Sequence, residues 1–248
     1  MNEKISYKDI FHQKEYLKII MASLINRFGD SIDAIAYTWI VYEITGNAAW
    51  SAIIFAINRL PFVLITPFAG AWIEGRNKKS IMVITDIIRA VCVSVVATTY
   101  VFDILNVWIM ILTTLIISPV EAFRGPAGTA LIPKILDKQY YEYGISLMST
   151  LSSIAELIGT ALAAGIIALI GSAGAIYVDM VTFILSALII MTVNTREKKV
   201  QKQKFDVKEY FVTFHDGLVY VKKAQTVFFF CIISVFMSGF HKCNFSSI

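Results

Sequence analysis

Long apolar runs separated by short polar breaks organise this chain. A bilayer-spanning helix needs about 20 mostly apolar residues. Six runs qualify, at residues 17–42, 48–72, 80–102, 107–131, 145–170 and 173–193. A seventh starts near Val227 and ends in a polar tail, residues 241–248. Thr45-Gly46-Asn47, Gly75-Arg76-Asn77 and Gly171-Ser172 supply turns between runs. The pattern predicts an N-terminal segment (1–16), a six-span bundle (17–193), a linker (194–226) and a partial seventh span with its tail (227–248). Within the linker, Tyr210, Phe211, Phe214 and Leu218 recur at helical spacing, which suits an amphipathic helix lying on a membrane surface.

Lys and Arg alternate between the breaks. The N-terminal segment carries Lys4, Lys8, Lys14 and Lys18. The second break has Arg76, Lys78 and Lys79, the fourth has Lys134 and Lys138, and a basic cluster from Arg196 to Lys223 follows the sixth run. The first, third and fifth breaks have none. Cytoplasmic loops carry the excess of Lys and Arg. The N-terminus and even-numbered loops are therefore expected inside a cell membrane that the chain crosses many times.

Composition supports this reading: 57% of residues are hydrophobic and 16% charged, where soluble domains have roughly 45–50% and about 25%. The net charge of +4 resides in the loops, so the expected partner is the lipid bilayer and not nucleic acid. Cys92, Cys231 and Cys243 show no paired spacing, and His12, His215 and His241 are scattered, so neither a metal site nor a disulfide is expected. No nucleophile–base pair or phosphate-binding glycine loop is evident, and no enzymatic activity or cofactor is expected. The first run is longer than a signal-peptide core and reads as a retained span.

Charges at bilayer depth are costly and need partners or water. The first run carries Arg27, Asp30 and Asp33 within one 120° arc at 100° per residue. Arg59, Glu121, Arg124 and Glu156 reach similar depth from the second, fourth and fifth runs. Together these seven are candidate substrate- or proton-binding groups facing a central cavity. Span three has charge only at Asp86 and Arg89, near its cytoplasmic end, and is expected to face lipid or the outside of the bundle. Asp179 reads as a helix-packing group. Pro61, Pro67, Pro119, Pro126 and Pro133 mark spans two and four as bent. Gly159 and Gly165 border a small-residue stripe that permits close packing.

The sharpest local motif is GAWIEGRNKKSIMVITDIIRA, from Gly70 through Glu74, Arg76, Lys78 and Lys79 to Asp86 and Arg89. It resembles the loop signature of the major facilitator superfamily, with Gly75 and Asn77 departing from the usual pattern. RFGDSIDAIAYTWIVYEITGNA, NRLPFVLITPFAG, FRGPAGTALIP, VDMVTFILSALI and HDGLVYVKK resemble the macrolide-efflux and siderophore-exporter branch of that superfamily. The resemblance covers nearly the whole chain up to about Phe240. It implies an all-α membrane fold: the six-helix N-terminal bundle of a transporter plus part of a seventh helix. It also implies alternating-access efflux of a drug-, macrolide- or siderophore-like small molecule, and gating by the Gly70–Arg89 motif. A proton antiporter is implied by kinship, although Ile117 stands where the family often has arginine and Gly159-Thr160 replaces an antiporter glycine-proline pattern.

A family transporter would continue for roughly as many residues again. The expectation is a truncated product, from a frameshift or a split gene, that needs a separate C-terminal half or a homodimer partner. The competing reading is a non-transporting membrane protein, an immunity or regulatory component built on a transporter-derived bundle.

Overall fold

The computed structural model describes residues 10–195. Residues 1–9, the expected linker from 196 on, its amphipathic stretch and the seventh run lie outside the described residues.

Among the described residues all regular structure is helical. The elements are α1 (Lys14–Thr45), α2 (Ala48–Ile73), α3 (Lys78–Val101), α4 (Val107–Ile135), a 3₁₀ turn (Lys138–Tyr140) and α5 (Tyr141–Met191). The breaks have local causes. Gly46 ends α1 in the left-handed region at φ 63°, its N–H donating to the Tyr42 carbonyl. Asn47, Asn77 and Asn106 each open the next helix, their side chains accepting from the N–H of Ala49, Ser80 and Ile109. The five prolines lie inside α2 and α4.

Helix α5 has 51 residues and, if straight, would run roughly 75 Å. It does not run straight. Gly171 interrupts it at φ 75°, ψ 169°. Gly159, before the break, abuts α1: a β-carbon there would stand 2.8 Å from the Phe28 carbonyl oxygen. Asp179 and Thr182, after the break, press on Gly29 of the same α1 turn. Residues 159 and 182 of one straight helix would be about 35 Å apart. The chain therefore doubles back at Gly171, and both arms of α5 flank α1.

Four stretches are long and apolar enough to cross a membrane: α2, α3, α4 and Lys138–Met191. Helix α1 is not among them, since its middle carries Arg27, Asp30 and Asp33. Two apolar clusters fill the interior. One gathers Tyr16, Ile19, Ile73, Met82, Leu131 and Ile190. The other gathers Ile32, Ile40, Val93, Met110, Ile176 and Phe183.

The expectation for span three is overturned. Helix α3 buries 56% of its apolar window, against 11% to 28% for the other three stretches. Asp86 and Arg89 are buried within it. The physical reason is that these two charges find counter-charges on α1 and α4, so the face that carries them turns inward.

Candidate functional site

Between the two apolar clusters lies a belt of charged and polar side chains. Each comes from mid-helix, so backbone groups there are already satisfied and only the side chains need partners.

One knot centres on Asp86, which is fully buried. It accepts from Arg124 Nε of α4 at 2.5 Å and from Ser186 Oγ of α5 at 2.7 Å. Arg124 Nη2 adds a longer bond at 3.3 Å, and Asn26 Nδ2 of α1 reaches it at 3.4 Å. Arg124 Nη2 also donates to Ser186 Oγ at 3.1 Å. Four helices thus meet on one carboxylate.

The second knot centres on Arg89, which is buried and donates from Nη2 to Asp30 Oδ1 at 2.6 Å. Its guanidinium lies over the Phe183 ring, 4.2 Å from the centroid. Beside the belt, Tyr37 donates to the Met110 carbonyl at 2.8 Å and meets Thr114 Oγ1 at 2.9 Å, tying α1 to α4. Ser118 donates to the Asn58 carbonyl, tying α4 to α2.

A cavity of about 410 Å³ opens beside the Arg89 knot. Of the seven predicted binding groups it is lined by Arg27, Asp30, Asp33, Arg59, Glu121 and Glu156. Arg124 is absent from the lining and belongs to the Asp86 knot. Arg89, expected in the gating motif, lines the cavity instead. Its apolar walls include Ile54, Phe55 and Ile117. The cavity thus has cations and carboxylates on a partly apolar surface, suited to hold a ligand with both apolar and polar groups. Arg59 stands 5.3 Å from the Phe55 centroid. No metal-binding cluster of His, Cys, Asp and Glu occurs among the described residues.

The rest of the motif occupies the helix ends. Lys79 Nζ donates to the carbonyls of Met191 and Val193 at 2.7 Å, capping the C-terminal end of α5. Lys78 donates to the Arg76 carbonyl, and the Arg76 guanidinium stacks 3.7 Å over Trp72. Glu74 and Gly70 are exposed. At the same end Lys18 donates to the Thr192 carbonyl, and Glu15 accepts from Lys18 and from the Asn194 N–H at 2.6 Å. Those two hydrogen bonds, the Lys18 bond foremost, hold the Glu15 carboxyl below its ordinary range. Sequence reasoning missed these caps because the partners are distant carbonyls, which leave no mark in side-chain pattern.

Membrane-length helices around a charged, partly apolar cavity have the build of a membrane transport protein. The chain belongs to the transmembrane secretion effector family of major facilitator transporters, whose family profile matches residues 8–240. It is 25% identical over 243 residues to the uncharacterized MFS-type transporter YkuC of Bacillus subtilis, a match covering 94% of this chain and 56% of the relative. It is 24% identical over 181 residues to the multidrug efflux pump Tap of Mycobacterium tuberculosis, covering 69% and 42%. Macrolide efflux protein A of Streptococcus pyogenes is 27% identical over 122 residues, covering 49% and 30%. The chain spans about half the length of the relatives it matches over most of its own length.

Proposed function

We propose that this chain supplies the N-terminal six-span bundle of a secondary transporter that exports a drug-like small molecule by alternating access. Its N-terminus and even-numbered loops face the cytoplasm of a cell membrane, a reading supported by the Lys/Arg alternation. A second bundle, from another chain segment or another copy, closes the cavity from the opposite side. Arg27, Asp33, Arg59, Glu121 and Glu156 hold the substrate or the coupling proton. Asp30 acts with Arg89, and Arg124 with Asp86, to lock helices in one state. Gly70, Glu74, Arg76, Lys78 and Lys79 form the corner that re-pairs when the bundles rock.

The observation that carries this reading is the cavity, where six of seven charges read from sequence converge on one partly apolar space. Efflux is favoured over import by the relatives, which include a multidrug efflux pump and a macrolide efflux protein.

The test is accumulation of a radiolabelled macrolide and of a fluorescent cationic dye in pump-deficient cells. Cells producing the chain together with a second bundle, either a C-terminal half supplied in trans or a fused second copy, should hold less of at least one probe. A protonophore, or Asp33→Asn or Glu156→Gln at equal membrane levels, should restore accumulation. Unchanged accumulation of both probes, with both bundles present in the membrane, refutes the efflux reading.

A further inference from the structure

Four buried side-chain atoms lack a hydrogen-bond partner among the described residues: Tyr16 Oη, Asp33 Oδ1, Arg89 Nε and Asp179 Oδ2. Three of the four belong to Arg89 and to two carboxylates, Asp33 and Asp179, that feel its charge. Asp179, at 1% exposure, sits one helical turn before Phe183, the ring on which Arg89 rests. Its other oxygen, Oδ1, accepts from Thr182 Oγ1 at 3.1 Å and crowds Gly29, the residue next to Asp30. Asp30, Asp33 and Arg89 are the charges felt by Asp179, and Glu121 and Asp86 complete those around Arg89.

Arginine stays charged in any surroundings, so a buried guanidinium needs a carboxylate at all times. Asp30 now serves, but its side chain is 20% exposed and lines the cavity, where substrate or solvent can neutralise it. Asp86 is already committed to Arg124. Asp179 is absent from the cavity lining and keeps one buried oxygen without a hydrogen-bond partner.

We propose that Asp179 is the alternate counter-ion of Arg89, so that loss of charge at Asp30 swings the guanidinium from α1 to the second arm of α5. Arg89 is then a positioning residue that reports the state of the cavity to the α1–α5 contact at Gly29. The inference rests on the buried geometry and not on the transport reading.

A stability cycle on the full chain in detergent tests it, with thermal unfolding as readout and no substrate needed. Asp30→Asn alone and Asp179→Asn alone should each cost little, since one carboxylate remains for Arg89. The double variant removes both proposed counter-ions and leaves Arg89 only the cavity-lining Asp33 and Glu121 and the committed Asp86, and its loss should exceed the sum of the singles by about 5 °C or more. Adding Arg89→Leu to the double should recover most of that excess. Additive losses, or no recovery with Arg89→Leu, would overturn the proposal and leave Asp179 a packing group against Gly29.

Discussion

Asp86 offers the clearest energetic test of the buried belt. Asp86→Ala removes the acceptor for bonds from Arg124, Ser186 and Asn26 and strands the Arg124 guanidinium, whose side chain is 13% exposed. Hydrogen bonds within membranes average about 0.6 kcal/mol, so the four lost bonds account for about 2 kcal/mol. Stranding one member of a buried ion pair raises the total to roughly 3–5 kcal/mol. For a chain of this size that is a fall of about 6–20 °C in Tm. Tryptophan-fluorescence melts in detergent would measure it. Arg124→Met removes the stranded cation, so the Asp86→Ala/Arg124→Met pair should cost far less than the two singles together. If the double variant instead costs the full sum, the two side chains act independently and the knot is not the unit described here.

Further outcomes follow from close contacts and helix ends. Gly159→Ala drives a β-carbon toward the Phe28 carbonyl and Ser31 of α1 and should lower stability by about 1–3 kcal/mol, whereas Gly165→Ala, with open space around it, should be neutral or stabilising in the same melt. Gly171 has φ 75° and ψ 169°, a region essentially reserved for glycine, so Gly171→Ala should cost on the order of 1–3 kcal/mol; a wild-type Tm would refute the reversal at that residue. Glu15 is lowered below its usual 4.5 by Lys18 and the Asn194 N–H. Its stabilisation is fully present above 4.5 and fades as pH falls through the lowered value. The small Tm gap between wild type and Glu15→Gln at neutral pH should therefore close in acid, and a pH-independent gap would contradict the pairing.

Helix positions were legible in the sequence because bilayer-length apolar runs and asparagine or glycine breaks act locally. Residues 48–72 and 107–131 reappear within α2 and α4, and Gly171-Ser172 is where α5 turns. Convergence was legible in part: Arg27, Asp33, Arg59, Glu121 and Glu156 do share one cavity. The inward face of α3 was not. Asp86 and Arg89 look like interfacial charges when counted along their own helix, and their partners Arg124 and Asp30 lie 38 and 59 positions away.

The sequence by itself therefore determined where the helices lie and where they break, since both depend on neighbours in the chain. Only the tertiary structure decided which charges face the cavity and which lock helices together. That choice depends on which helix faces which, and close contacts at Gly29 and Gly159 bring both arms of α5 onto α1.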